Sequence, residues 1–194
     1  MTIFFTSDTH FGHKNILHLV DRETRMGVST IEEHDTKLIE LWNSVVGEKD
    51  DVYHLGDFGL TNRKGVERVM NEVNGNVHLI LGNHQSVKGG LRDRFVWVRD
   101  YYKLKVPDEE HPRGEQEVIL FHYPIAIWDK RHHGAWHLHG HCHGSFPSGD
   151  GQPRLDVGVD VHDFKPISYE QVKAHMVTKG PLENLDHHGR KPRY

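Results

Sequence analysis

Residues 3–10 read Ile3-Phe4-Phe5-Thr6-Ser7-Asp8-Thr9-His10, a short apolar run that ends directly in polar side chains. The arrangement occurs four more times, because four later apolar segments also end in residues that can bind a metal ion. Their polar ends are Gly56-Asp57, Gly82-Asn83-His84, His122 and Gly140-His141-Cys142-His143. One such segment by itself predicts only a turn or a core residue, whereas five in one chain favour a shared site.

The positions of these residues predict where that site forms. The carboxyl ends of neighbouring strands in an α/β sheet converge on a crevice where ligands bind. A glycine precedes three of the polar ends, and we expect it to let the chain turn sharply there. Asp8 and His10 are two residues apart, as are His141 and His143. In extended chain this spacing points both side chains the same way, so each pair is expected to approach a metal ion from one side.

The rest of the sequence predicts a layered α/β fold in a single domain over residues 1–185, followed by a flexible tail at 186–194. Residues 95–98 and 101–106 are expected to pair with each other, and 107–117 to form an exposed loop. The predicted strands are 3–5, 52–55, 77–81, 95–98, 101–106, 118–121, 136–139 and 155–159, and the predicted helices are 30–46, 66–73 and 168–177.

The composition is that of a globular protein, with 36% hydrophobic and 27% charged residues. One cysteine excludes an internal disulfide framework, and the sequence shows neither a bilayer-spanning apolar run nor a secretory signal, so a cytoplasmic location is expected. The net charge of −4 argues against broad electrostatic binding of nucleic acid, although a local basic cleft is compatible with it. Histidine, the commonest metal ligand, makes up 19 of 194 residues.

In their order and spacing, the five polar ends resemble the motifs of the calcineurin-like metallophosphoesterase superfamily. The resemblance covers residues 8–143. It implies the metallophosphatase fold, a four-layer α/β sandwich of two mixed β-sheets flanked by helices, and a site for two divalent metal ions. The implied ligands are Asp8, His10 and His143 for the first ion, Asn83, His122 and His141 for the second, and Asp57 as a catalytic bridge between both.

These seven ligands offer only oxygen and imidazole nitrogen. Such a set suits manganese, iron, zinc, cobalt or nickel better than copper(I) or an iron–sulfur cluster. Manganese is the ion that we expect. Cys142 lies between two of the ligands and is expected to point away from the metals as a small core residue.

The resemblance also implies substrate contacts. His84 would not bind metal but would stabilise or protonate the leaving oxygen as a second catalytic residue, and Asn83 would contact the substrate. His13 is expected to contact the substrate as well, on the separate ground that it lies in the segment after the first ligand pair. Residues 11–15 either bind phosphate at a helix start or simply begin a helix. The family usually has an acidic residue where this chain has Gln85, which puts the acid strength of His84 in question.

Weaker signals carry two interpretations each. Tyr123-Pro124 and Trp128 either wall the substrate pocket or pack in the core. The basic stretch 130–133 either meets a phosphate or is a solvated loop. Asp156 and Asp160 are assigned to structure.

The sequence therefore predicts a phosphoesterase in which two divalent ions clamp the phosphate ester of a small substrate, such as a nucleotide monoester or diester. A nuclease with the same chemistry is an alternative that the acidic composition disfavours. A metallophosphatase-fold binding scaffold without turnover is a second alternative, disfavoured because all seven ligand positions are filled. The sequence leaves the physiological substrate and the oligomeric state open, and no membrane partner is expected.

Overall fold

The computed structural model describes residues 1–84, 89–147 and 151–179. Gln85 and the predicted tail at 186–194 therefore lie outside the described residues. The strands are β1 (Ile3–Thr6), β2 (Asp51–His54), β3 (Asn76–Ile80), β4 (Val98–Arg99), β5 (Tyr101–Pro107), β6 (Glu115–Phe121), β7 (Trp136–His139), β8 (Arg154–Asp156) and β9 (Ile167–Ser168). The helices are α1 (Ile16–Leu19), α2 (Arg22–Met26), α3 (Ile31–Asn43), α4 (Arg63–Glu72) and α5 (Tyr169–Met176). Short 3-10 helices lie at Gly89–Arg94, Arg131–His133 and Val159–Val161.

The strands form two mixed sheets. The first has the order β4-β3-β2-β1-β9, in which only β9 runs antiparallel to its neighbour. The second has the order β5-β6-β7-β8, in which only the β5–β6 pair is antiparallel. The predicted α/β class with two mixed sheets is thus confirmed.

The predicted pairing of residues 95–98 with 101–106 is wrong. Val98 of β4 pairs in parallel with Leu79 of β3, whereas Tyr101 of β5 pairs with Phe121 of β6. The chain therefore passes from the first sheet to the second at Asp100. The loop between these strands is also shorter than the predicted 107–117, because β5 extends to Pro107 and β6 begins at Glu115. Local apolar patterns indicate a strand but not its partner, which long-range packing decides.

Apolar side chains cover both faces of the first sheet. On β1, Phe4 belongs to the cluster that packs against α3 and α4, and Phe5 belongs to the cluster between the two sheets. Adjacent residues of a strand point to opposite faces, so β1 contributes to both cores. Helix α3 begins as predicted, at a capping box formed by Thr30 and Glu33. None of the described helices combines the length and apolar character that crossing a membrane requires.

The carboxyl ends of β1, β2, β6 and β7 meet at one edge of the two packed sheets. The backbone N–H of Asp8 donates to the carbonyl of Gly56, 3.0 Å away, which joins two ends within the first sheet. Gly140 donates to the carbonyl of His122, 2.9 Å away, within the second. The N–H of His141 donates to Asp8 Oδ2 at 2.9 Å and connects the two sheets. This edge carries all five polar ends.

Candidate metal centre

Five of the seven predicted ligands have a left-handed backbone conformation. The φ angles are 58° at Asp8, 53° at His10, 54° at Asp57, 70° at His141 and 47° at His143. The expectation that the two pairs converge because their chain is extended is therefore wrong. Each pair converges because tight left-handed turns follow the strand. Residues other than glycine rarely adopt this conformation, and such strain concentrates at functional sites.

Glycine precedes three of these ligand loops for two different physical reasons. Gly56 has a φ of 107°, as expected for a sharp turn. Gly82 and Gly140 have no positive φ angle, so their backbone conformation does not itself require glycine. A Cβ atom at Gly82 would collide with the carboxylate of Asp57, and one at Gly140 with the carboxylate of Asp8. These two glycines allow close packing of backbone against ligand.

The first group of ligand atoms contains Asp8, His10 and His143. Asp8 Oδ1 lies 3.9 Å from Nε2 of His10 and 3.9 Å from Nε2 of His143, and the three atoms are all within 4.8 Å of one another. Within the described part of the chain, Asp8 Oδ1 and His10 Nε2 are buried without a hydrogen-bond partner. Buried polar atoms without a partner are costly and rare. Oxygen and imidazole nitrogen that converge in this way fit a divalent cation.

The second group contains Asp8, Asp57 and His122. Asp57 Oδ2 lies 3.8 Å from His10 Nε2 and 3.5 Å from His122 Nε2, so this carboxylate stands between the two groups. Nδ1 of His122 lies 2.8 Å from the carbonyl oxygen of Leu55. Because a carbonyl only accepts, Nδ1 carries the hydrogen and Nε2 keeps its lone pair for a metal.

Asn83 completes the second group. Its Oδ1 lies 2.9 Å from Nε2 of His122 and 3.0 Å from Nδ1 of His141. The structure thus brings all seven predicted ligands together in two adjoining groups. Cys142 is half-buried. It belongs to neither group of ligand atoms among the described residues.

Burial shifts the pKa values of this centre. It raises the pKa of Asp8 to about 6 and lowers that of His10 to about 2. For Asp57, burial alone raises the pKa, but the adjacent His122 ring and the hydrogen bond from the backbone N–H of His84 outweigh it and hold the pKa at about 2. A neutral His10 beside an ionised Asp57 is the state that a metal ion requires.

A buried arginine supports the first group from behind. Arg22, with no exposed surface, donates to both carboxylate oxygens of Asp160, at 3.0 and 2.6 Å. It also donates to the backbone carbonyls of Asp8, at 2.6 Å, and Thr9, at 2.9 Å. Asp160 Oδ2 lies 2.6 Å from Nδ1 of His143. Arg22 therefore fixes the loop of two ligands and, through Asp160, the ring of a third.

Sequence reasoning missed this support. Asp160 was assigned to structure only, and Arg22 lies 138 residues away from it in a segment without a periodic pattern. No local signal identifies such a pair. Burial raises the pKa of Asp160, but His143 and Arg22 together hold it below its usual range. A carboxylate behind a metal-binding histidine fixes its tautomer and orientation.

His13 and His84 lie beside the first group. Their ring centroids are 5.2 and 5.6 Å from that of His10 and 5.9 Å from each other. The backbone N–H of His84 donates to Asp57 Oδ1 at 2.9 Å, while its side chain is exposed. His13, predicted to contact the substrate, and His84, predicted to be catalytic, thus border the candidate metal centre, and their roles stay predictions.

The structure decides between the two interpretations of several weaker sequence signals. Trp128 is buried and donates to a backbone carbonyl, so it packs in the core. Lys130 pairs with Glu117, and buried Arg131 donates to Gln152, so the stretch 130–133 is not simply a solvated loop. Asp156 accepts from the backbone N–H groups of Gly144, at 3.1 Å, and Gly158, at 2.8 Å, which is the structural role expected of it.

Comparison with known proteins places the chain in a family. The chain is 30% identical to the uncharacterized protein MJ1445 of Methanocaldococcus jannaschii over 187 residues, 93% of each chain. It is 31% identical to the gene 66 protein of Mycobacterium phage D29, over 92% of this chain and 98% of that one. The gene 66 protein of Mycobacterium phage L5 is 32% identical, over 72% of this chain and 76% of that one. The chain belongs to their family.

Members of this family share sequence over most of their length, so the family extends across both sheets. No family model matches the chain. A crystal structure of a protein of unknown function, AQ665 from Aquifex aeolicus, has a TM-score of 0.66 at 23% identity and covers 90% of this chain and 98% of that one. This likeness supports the fold alone.

Proposed function

We propose that the chain is a phosphoesterase that hydrolyses phosphate esters with two divalent metal ions, on a metallophosphatase fold. The observation that carries the proposal is the convergence of seven oxygen and nitrogen donors in two adjoining groups, with Asp57 between them. Orphaned, buried donor atoms at Asp8 and His10 support metal binding. The motif resemblance supports the choice of phosphate-ester chemistry.

Two divalent ions at this site would clamp the phosphate and stabilise the attacking and leaving oxygens. The chain positions the remaining groups. His84, anchored through its backbone to Asp57, holds an exposed imidazole where it can give a proton to the leaving oxygen. His13, whose Nδ1 lies 3.3 Å from Nδ1 of His10, is placed to hydrogen-bond a phosphate oxygen.

The donor set favours manganese, iron, zinc, cobalt or nickel. The experiment that tests the proposal loads the protein with each of these metals in turn. It then measures hydrolysis of phosphomonoesters, phosphodiesters, and single- and double-stranded nucleic acid. We expect hydrolysis of small esters that chelator abolishes and added metal restores. Cleavage of nucleic acid alone would support the nuclease instead, and stoichiometric metal binding without hydrolysis of any ester would support the scaffold.

A further inference from the structure

Three aromatic rings lead along the second sheet to the metal centre. Tyr101 and Phe121 are register partners on β5 and β6, with ring centroids 6.4 Å apart. The ring of Phe121 lies 5.6 Å from that of Tyr123, which lies 4.7 Å from the ring of His141. We call Tyr101, Phe121 and Tyr123 the aromatic strip. It begins in contact with one of the proposed metal ligands.

The aromatic strip lies on the face of the second sheet that points away from the first. Leu104 and Leu120 belong to the core between the sheets, and side chains alternate along a strand, so Tyr101 and Phe121 point to the opposite face. Tyr101 is 43% exposed and Tyr123 36% exposed. Phe121 between them is half-buried, so the strip is an aromatic patch with two exposed ends, which makes it a candidate binding surface.

The rings of the aromatic strip are inclined to one another rather than stacked in parallel. Neighbouring planes are inclined by 55° between Tyr101 and Phe121, 57° between Phe121 and Tyr123, and 62° between Tyr123 and His141. Rings inclined in this way do not cover each other as parallel stacked rings do. Planar faces in sequence suit planar ligands, and nucleobases stack on aromatic side chains with little regard to sequence.

We propose that the substrate is a nucleotide ester whose base stacks on Tyr123 while its phosphate binds at the metal centre. The inference rests on the proposed phosphoesterase function and names its substrate class. In a nucleotide, a single sugar lies between the base and the phosphate. The ring of Tyr123 is in direct contact with the proposed ligand His141, so a base on Tyr123 leaves the phosphate within reach of the metal centre. A second base, in a dinucleotide, reaches Phe121 and Tyr101.

The charges beside the aromatic strip favour a short substrate over long nucleic acid. Lys103, on the same face of β5, lies 2.8 Å from Asp129 and 3.2 Å from Glu117, and Lys105 pairs with Glu115. These lysines are already neutralised by carboxylates. Binding of a long strand depends on cations that replace the counterions of many phosphates. A mononucleotide or dinucleotide needs only the metal centre for its phosphate.

The first experiment isolates the base. Isothermal titration of the manganese-loaded full chain compares adenosine 5′-monophosphate with ribose 5-phosphate, which lacks the base but keeps the sugar and phosphate. We expect the nucleotide to bind about 5- to 100-fold more tightly, the range that stacking of one base gives. Tyr123→Leu should lower this ratio at least about fivefold. Tyr123→Phe, which keeps the ring, should preserve it.

The second experiment tests the length of the aromatic strip. A dinucleotide with a 5′-phosphate should bind more tightly than adenosine 5′-monophosphate, and Tyr101→Leu should reduce the ratio of the two affinities. Circular dichroism of each variant confirms that the fold is retained. Analytical ultracentrifugation of the wild type and Tyr101→Leu measures whether the chain dimerises through the aromatic strip instead.

Each contrary outcome overturns the inference. Equal affinity for nucleotide and ribose 5-phosphate, or an unchanged ratio in Tyr123→Leu, refutes base stacking while hydrolysis of simple esters leaves the phosphoesterase function standing. A dimer that Tyr101→Leu dissociates identifies the strip as a subunit interface. Absence of both phosphate binding and ester hydrolysis refutes the aromatic strip proposal together with the function on which it rests.

Discussion

At the scale of single residues, the metal centre depends on how each carboxylate is held. Asp57 accepts the backbone N–H of His84 on Oδ1 and turns Oδ2 toward both His10 and His122. Asp8 accepts the N–H of His141 on Oδ2 and leaves Oδ1 without a partner among the described residues. In both residues one oxygen fixes the orientation and the other is available to a metal.

Asp57→Asn should nearly abolish hydrolysis with the fold retained. A neutral amide is isosteric with the carboxylate but is a poor bridge between two cations. The measurement is turnover at matched metal loading, with circular dichroism to confirm folding. Asp108→Asn is the matched control, because this buried carboxylate binds Lys173 at 2.8 Å, beyond β5 at the end of the second sheet opposite the metal centre. Wild-type turnover in Asp57→Asn would refute the bridging role.

Arg22→Lys should weaken metal binding about 10- to 100-fold, the usual effect of losing a group that orients a ligand. An ammonium group lacks the planar fork with which Arg22 binds both oxygens of Asp160 and two backbone carbonyls. Because lysine keeps the positive charge beside Asp160, the loss of stability should be smaller than the roughly 3–5 kcal/mol that removal of one partner of a buried ion pair costs. Isothermal titration with manganese, at a temperature where the variant is folded, measures the loss.

Arg63→Lys is the control for that substitution, because Arg63 forms an exposed pair with Glu67 on α4 that contributes little to stability. Unchanged metal affinity in Arg22→Lys would show that Asp160 holds His143 without help. The seven candidate ligands could be named from sequence because the motif resemblance implies them, and each lies shortly after a strand. Arg22 was not, because its role depends on contacts with residues far along the chain.

At the scale of elements, the long helices and most of the strands followed from local patterns, whereas β9 at Ile167–Ser168 was not predicted and the strand expected at 95–98 is limited to Val98–Arg99. The capped starts of α3 at Thr30 and of α5 at Ser168 are as predicted. What could not be predicted is partner choice: β4 joins the first sheet and β5 the second, although one residue separates them. The left-handed turns at the ligands were also missed, because they are imposed by hydrogen bonds between loops, such as His10 N–H to the carbonyl of Asp57 at 2.9 Å.

Gly140→Ala tests the close approach of β7 to the ligand loop of β1. The added Cβ collides with Asp8 and Ser7, although the backbone conformation itself tolerates alanine. We expect about 1–3 kcal/mol of lost stability and weaker metal binding, because the carboxylate of Asp8 must move. Denaturant unfolding and metal titration measure both. Gly47→Ala, where the Cβ would meet only the Asp50 side chain at 3.2 Å, is the control, and equal effects of the two substitutions would contradict this account.

At the scale of the whole molecule, the metal centre is shared between the two sheets. The first sheet supplies Asp8, His10, Asp57 and Asn83, which follow β1, β2 and β3. The second supplies the histidines that follow β6 and β7. The site therefore forms only when the sheets pack, and metal binding should stabilise that packing.

Stability should fall as the pH drops below neutrality, even without metal. Burial lowers the pKa of His137 to about 3; its Nδ1 donates to the carbonyl of Ile119 at 3.2 Å, and its Nε2 accepts the backbone N–H of Ile125 at 3.3 Å. The unfolded chain binds a proton at this residue below about pH 6.5, whereas the folded chain does so only near pH 3. The stability that neutral His137 contributes is thus present above pH 6.5 and lost progressively as the pH falls toward 3.

Denaturant unfolding of chelator-treated protein between pH 7 and pH 4 measures this dependence. His137→Gln should make it shallower, because the variant has no group to protonate there. His18→Gln is the control, since the side chain of His18 is 74% exposed. Identical pH dependence in the wild type and His137→Gln would show that other groups control acid unfolding.

The most direct test of metal-dependent ester hydrolysis is a titration of chelator-stripped protein with manganese. The quantity measured at each addition is the rate at which simple phosphomonoesters and phosphodiesters are hydrolysed. The account predicts no hydrolysis without metal and a rate that rises with each addition until about two ions are bound per chain. Full activity in the metal-free protein would contradict it. So would a protein that binds two ions and hydrolyses none of the esters.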